Sequence, residues 1–204
     1  MALSCASAIT SIACSSTPPD AVSGATSAIY EWTVEAKPAN SKVLIVAAIS
    51  KTGGTAKVAE AMAEVFGARV ASPRQVKAKE LLDYSLIGFG SGIFDQMHHA
   101  SIFEFIESLP EMAGRKAFIF STSGVSRQFA IDHKIDDPHT QLREMLRSKG
   151  FEIVGEYNCA GFNDNSFLKL FGGMNKGKPD AQDVEQAKAF ARELKSRFLD
   201  PEGR

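Results

Sequence analysis

Three hydroxyls, two glycines and a lysine stand together at Ser50-Lys51-Thr52-Gly53-Gly54-Thr55. Such a cluster suits the binding of a phosphate group: the hydroxyls donate to phosphate oxygens and the glycines let backbone approach. Before it, Val43-Leu44-Ile45-Val46-Ala47-Ala48-Ile49 reads as a buried strand; after it, Ala56-Lys57-Val58-Ala59-Glu60-Ala61-Met62 reads as the opening of a helix. That context points a helix N-terminus, with its unpaired N–H groups and partial positive charge, at the same spot. The spacing is neither Gly-x-x-x-x-Gly-Lys-Ser/Thr nor Gly-x-Gly-x-x-Gly, so two common nucleotide loops are excluded.

Two further segments have the residue types of a ligand loop. Gly90-Ser91-Gly92-Ile93-Phe94-Asp95-Gln96-Met97-His98-His99 offers glycines for close backbone approach and Phe94 to lie beside a flat ring. Ser121-Thr122-Ser123-Gly124-Val125-Ser126 is a second cluster of small donors. A flavin ring needs flat apolar walls at one end and backbone donors and acceptors at the other, and these two loops supply both. Other tempting residues read more plainly. His98 and His99 are adjacent in a loop without a nearby carboxylate cluster, which suits surface or ligand-loop histidines rather than a metal pair. Asp132 to His139 reads as a solvated loop before a helix capped near Asp137, with Pro138 at its first position. Cys159 reads as a structural thiol at a strand end. Gly172-Gly173-Met174-Asn175-Lys176-Gly177-Lys178-Pro179 suits a surface loop near the ligand, with no target named by its residues.

The elements that must position these loops alternate strand and helix from Ser41 onwards, the pattern of a doubly wound parallel α/β sheet. Strands are expected at Lys42–Ile49, Ala68–Ala71, Leu86–Ser91, Lys116–Ser121 and Phe151–Cys159. Helices are expected at Gly54–Phe66, Ala100–Leu109, His139–Gly150 and Ala181–Phe198, from apolar residues at helical spacing and from Gly150 as a stop. Five strands in the order 2-1-3-4-5 put a switch point between strands one and three, so ligand loops should follow strands one, three and four.

From Ser41 to Phe198 the chain resembles the flavodoxin family. The likeness is carried by the hydroxyl-rich loop, Phe89-Gly90-Ser91-Gly92-Ile93, Phe118-Ile119-Phe120-Ser121-Thr122-Ser123-Gly124 and the run Gly172 to Pro179. The resemblance implies noncovalent FMN and electron transfer through its oxidised, semiquinone and hydroquinone states. Carried over by position, Ser50, Lys51, Thr52, Gly53, Gly54 and Thr55 would hold the phosphate. Ser91, Gly92, Ile93 and Phe94, with Ser121, Thr122, Ser123 and Gly124, would surround the ring. Gly54 departs from the family, which usually carries Asn there; the departure implies a lost hydrogen bond and a gain in affinity for Gly54→Asn. The second departure is the lack of a strong acidic excess, which implies a less negative potential for the fully reduced step. Asp20-Ala21-Val22-Ser23-Gly24-Ala25-Thr26 resembles the motif at which a flavin transferase links FMN to a threonine, which would make Thr26 a covalent attachment site.

Composition bounds the rest. At 204 residues and net charge −1 the chain has room for one domain, residues 41–199, and an extension, residues 1–40, expected to be flexible. Neither a basic field for nucleic acid nor a stretch of roughly 18 apolar residues for a membrane span is present. Three scattered cysteines support neither a disulfide framework nor zinc and suit a cytoplasmic setting. The expected partners are a protein reductase and a protein acceptor. Two alternatives stay open: an NAD(P)H- or quinone-linked flavin oxidoreductase, and a fold of this type that binds partners without FMN. Oligomeric state is not legible.

Overall fold

A computed structural model describes residues 41–50, 52–125, 129, 132–133, 136–162 and 175–200. The strands are β1 (Val43–Ala48), β2 (Arg69–Ala71), β3 (Leu86–Phe94), β4 (Met97–His98), β5 (Lys116–Ser123) and β6 (Glu152–Ala160). The helices are α1 (Gly54–Phe66), α2 (Ala100–Glu107), α3 (Thr140–Ser148) and α4 (Ala181–Phe198). The parallel order is β2-β1-β3-β5-β6, with β4 folded back on β3 alone. Counting only the parallel strands, this is the expected 2-1-3-4-5 topology with its switch point between β1 and β3.

Strand alternation divides the core into two layers. Leu44, Val46, Ile87, Phe89, Ala117 and Ile119 face α2 and α3, meeting Ile102, Ile106, Leu142 and Leu146. Val43, Ile45, Ala47, Phe118 and Phe120 face α1 and α4, meeting Val58, Met62, Ala187, Ala191 and Leu194. Both faces are covered, which is why β1 reads as a continuous apolar run rather than an alternating one. On β3 a Cβ at Gly88 would lie 2.3 Å from the Phe118 ring, and one at Gly90 would lie 2.4 Å from the Phe120 ring. Gly90 is therefore a seat for a core aromatic, which corrects its expected role at the ligand.

The segment after Ser91 also differs from expectation. Rather than a loop, residues 91 to 94 continue β3, and Ile93 and Phe94 pair antiparallel with His98 and Met97. The turn between them places Asp95 at φ 48° and Gln96 at φ 65°, the left-handed pair of a tight hairpin. Asp-Gln carries none of the glycine that usually signals such a turn, so no local residue marks it. Likewise β5 runs on through Ser123, two residues past the expected end.

Candidate functional site

The helix α1 opens without a side-chain cap. Gly53 occupies the cap position in the left-handed region at φ 69°, and a Cβ placed there would meet nothing within 4 Å. The N–H groups of Gly54, Thr55 and Ala56 belong to the first turn, where the helix itself supplies no acceptor. No acidic residue stands in that turn. Thr52 is exposed and its hydroxyl is 3.0 Å from that of Ser50. Open space over left-handed backbone, uncapped amides and two outward hydroxyls fit a phosphate group. Lys51 lies outside the described residues.

Thr55 behaves differently from Thr52. It is 1% exposed, and its Oγ1 lies 2.9 Å from Oγ1 of Thr122 on β5. Either hydroxyl can donate, and the second hydrogen of the pair stays free for another acceptor. Thr122 is also where the other segments converge. A Cβ at Gly161 would be 3.0 Å from Thr122 Cβ, and one at Gly54 would be 3.9 Å from Thr122 Oγ1. A Cβ at Gly92 would be 2.9 Å from the Phe94 ring and 3.8 Å from Thr55 Oγ1. The first turn of α1 and the ends of β3 and β5 thus meet at Thr55, Gly92 with Phe94, and Thr122, with Ile93 half-buried beside them. This brings together three of the segments singled out by residue type.

Ser91 and Ser121 take another course. They are register partners on β3 and β5, and both are 0% exposed. Ser91 donates to Gly92 O at 2.8 Å and accepts from His99 N–H at 3.0 Å. Its oxygen must then accept from His98 Nδ1, 2.8 Å away, which leaves His98 Nε2 as a buried acceptor without a partner among the described residues. Burial, with the neighbouring His139 second, pushes the His98 imidazole down to about 3. Ser121 accepts from Asn158 Nδ2 at 2.8 Å, and its Oγ shares a hydrogen bond with His139 Nε2 at 2.7 Å. His139 Nδ1 in turn lies 3.1 Å from Glu156 Oε2.

Glu156 closes the chain. Burial alone would raise its carboxyl, but hydrogen bonds from Arg143 and then His139 hold it well below the ordinary range. Arg143 reaches Glu156 at 2.5 and 2.9 Å and Asp137 at 2.7 Å, and Glu156 in turn raises the guanidinium further. Ser91 and Ser121 therefore face a buried polar layer beneath the site, offering a ligand only their backbone. His98 and His139, expected in loops, are buried members of that layer. Pro138 precedes α3, which begins at Thr140. His99 caps α2, its Nδ1 accepting from Ser101 N at 3.2 Å. Cys159 is buried, and burial pushes its thiol up to about 12, as suits a structural residue.

Ser123 and Gly124 lie at the end of β5 and just beyond it. Ser123 donates to Val125 O and accepts from Asn158 Nδ2 at 3.0 Å. Asn175 Nδ2 donates to Gly124 O at 2.6 Å and approaches Gly161 O at 3.3 Å. Glu156, Asn158 and Arg143 carry no signal in the sequence, and Asn175 is marked only by the run Gly172 to Pro179. Apart from Asp137, six residues before Arg143, their partners in space are 13 to 51 residues away along the chain, and no local spacing betrays that. Gly54 is also explained: a Cβ there would stand 3.1 Å from Pro179 Cδ. An Asn at this position would crowd Pro179, whose ring would have to give by a few tenths of an ångström, and this weighs against the expected gain from Gly54→Asn. Thr26 and the rest of its motif, together with Gly172 to Met174 and Ser126, lie outside the described residues. Among the described residues no group of three or more metal-binding side chains occurs, and no helix is long and apolar enough to cross a membrane.

Known proteins share this sequence pattern and this fold. Residues 45–155 match the profile described as a flavodoxin domain. An uncharacterized protein of Methanocaldococcus jannaschii is 41% identical over 140 residues, spanning 69% of this chain and 89% of its own. A flavodoxin from the domain Archaea superposes with a TM-score of 0.54 at 19% identity, over 76% of this chain and 96% of its own. Oxidised Flavodoxin 2 from Bacillus cereus gives 0.53 at 21% identity, over 76% and 99%. At those identities the two structures speak to the fold alone.

Proposed function

The chain belongs to the flavodoxin family, and on that premise we propose that it binds FMN and carries electrons between protein partners. In this reading the phosphate sits at Ser50 and Thr52 to Thr55, and the ring lies between Gly92–Phe94 and Thr122–Gly124. When bound, FMN supplies reversible one- or two-electron chemistry. The chain's own residues hold and orient it. The α1 amides and the Ser50 and Thr52 hydroxyls neutralise the phosphate. Phe94, folded over Gly92, gives the ring an apolar wall. The buried layer under Ser91 and Ser121 fixes the backbone groups that meet its polar edge.

The observation that carries the reading is the Thr55–Thr122 hydrogen bond, which joins an uncapped helix N-terminus to the ring segment. A phosphate site and a flat-ring site are thereby held in one frame. The protein purified under mild conditions should be yellow, with the two visible bands of bound flavin. A colourless protein that also fails to take up added FMN would contradict the reading.

Met97 is 49% exposed and Val125 36% exposed, both at the ends of ring-side segments. This apolar rim favours a second reading, a flavin oxidoreductase acting directly on NAD(P)H or a quinone. Steady-state NADPH or quinol oxidation by purified holoprotein, with no added reductase, separates it from a carrier. The Thr26 motif supports a further element, covalent FMN on the extension. Co-expression with a flavin transferase should then add the mass of FMN less water, and Thr26→Val should abolish it while sparing dissociable FMN. An unmodified mass under co-expression would remove this element. A cytoplasmic setting completes the reading, supported by the odd and scattered cysteines.

A further inference from the structure

The residues Asn175 to Pro179 belong to none of the three segments that the flavin reading uses, yet they touch or bond to two of them. Asn175 sits at φ 59°, in the left-handed region that asparagine tolerates better than most residues. Its Nδ2 donates to Gly124 O at 2.6 Å and lies 3.3 Å from Gly161 O. Gly161 N–H donates to Ser123 O at 2.8 Å, so one asparagine amide bridges the two strand ends beyond β5 and β6. Lys178 N–H donates to Asn175 O at 3.0 Å and closes the turn, while Phe162 N–H donates to Lys178 O at 3.2 Å. Pro179 then rests on Gly54, 3.1 Å from where its Cβ would be. Lys178 Nζ anchors the turn to the start of α4 through Asp180 at 2.8 Å and Asp183 at 2.9 Å.

We propose that the Asn175–Pro179 turn is a clasp that holds the phosphate segment and the ring segment in register, with Asn175 as a positioning residue for the ligand. The inference rests on the FMN reading for the identity of that ligand. The physical basis is loop order. Gly124 and Gly54 are backbone elements that meet the ligand, and neither has a side chain of its own to fix it. An amide donor on one and a proline ring against the other remove freedom that binding would otherwise have to remove. The pairing of Gly54 with Pro179 gives the departure at Gly54 a positive purpose: a small residue there makes room for the clasp.

Asn175→Gly is the discriminating variant, because glycine accepts the left-handed backbone and lacks only the amide. Asn175→Asp keeps the shape and replaces the donor with an acceptor facing two carbonyls. Both should weaken FMN about 5- to 30-fold in fluorescence titrations of apoprotein, the loss expected for one or two neutral hydrogen bonds. Pro179→Ala should weaken it in the same direction. Wild-type affinity in Asn175→Gly would overturn the proposal, showing that only the backbone shape of the turn matters. A ligand-free readout keeps the two claims apart. In wild-type apoprotein the Gly161 N–H should exchange slowly with solvent, and at least about tenfold faster in Asn175→Gly, whatever is bound at the site. Unchanged exchange would sink the clasp even if FMN binds. Slow wild-type exchange with fast exchange in the variant, in a protein that takes up no FMN, would uphold the clasp and overturn the flavin reading. Should Asn175→Gly fail to fold, Asn175→Asp and Pro179→Ala carry the same comparison.

Discussion

The proposed phosphate side and the proposed ring side of this site are built on different plans. The phosphate side is local: the end of β1, the short loop after it and the first turn of α1 contain all of it. Its chemistry is backbone N–H groups and hydroxyls presented outward, with Gly53 shaping the approach. The ring side is assembled from afar. Ser91 and His98 come from a hairpin, Ser121 from β5, His139 and Arg143 from the start of α3, Glu156 and Asn158 from β6, and Asn175 from the approach to α4. The lesson is a division of labour. One half leaves its hydroxyls and helix N–H groups outward; the other uses its polar side chains on each other and leaves its backbone over.

If the two plans differ in this way, the largest loss of stability should come from the ring-side layer. Glu156→Ala leaves the Arg143 guanidinium with Asp137 alone and takes the acceptor from His139 Nδ1. A partly buried ion pair broken on one side should lower stability by about 3 kcal/mol in urea unfolding of apoprotein. Thr52→Ala, exposed on the phosphate side, should stay within about 0.5 kcal/mol of wild type in the same assay. Equal effects would erase the distinction.

Ligand affinity should show the reverse weighting. Thr55→Val removes one hydroxyl from the phosphate side and should weaken FMN about 10- to 150-fold, the worth of a charge-assisted hydrogen bond. It also leaves Thr122 Oγ1 without its partner, so a modest loss of stability should accompany it. Affinity unchanged in fluorescence titration would move the phosphate elsewhere. Gly54→Asn probes the point where the two halves meet. Crowding against Pro179 should destabilise apoprotein by about 1–3 kcal/mol and weaken FMN. Tighter binding would show that the loop yields and that the missing asparagine is a true deficit.

A further effect is a dependence on pH. His98 is held neutral in the fold, with its imidazole at about 3 against the ordinary 6.5. Between those values the unfolded chain binds a proton that the folded chain refuses, so stability falls as pH falls, by up to about 1.4 kcal/mol per unit. Glu156 works in the same direction but later, since its depressed carboxyl gives stability that is present above 4.5 and lost only as pH drops through its folded value. From about pH 6.5 to about pH 5, then, His98 should dominate. Tm of wild-type apoprotein should drop over that range, and His98→Gln should flatten the curve. Parallel curves would mean that His98 finds a partner for its proton in the fold.

The difference between the halves also explains which features are legible in the amino-acid sequence. Helices α1 and α4 have the expected limits, Gly54–Phe66 and Ala181–Phe198, because apolar spacing and caps are written in adjacent residues. The hydroxyl- and glycine-rich turn between β1 and α1 is legible for the same reason. The hairpin at Asp95 and Gln96 is not, since its turn lacks glycine. Nor is the role of Gly90, because its reason is Phe120, far along the chain on the neighbouring strand. Ser91 and Ser121 look like ligand donors in a one-dimensional reading. Only their burial opposite His98 and His139 shows where their hydroxyls go.

The proposal that the α1 end of the site holds a phosphate and the β3–β5 side a flavin ring stands or falls with one titration. Apoprotein is titrated with FMN and with riboflavin, which has the same ring without the phosphate, and flavin fluorescence is followed. Both compounds should be quenched at saturation, with affinity for riboflavin at least about 100-fold lower, the loss of two or more charge-assisted hydrogen bonds. Equal affinities would contradict the phosphate site, and quenching of neither compound would contradict the flavin site itself.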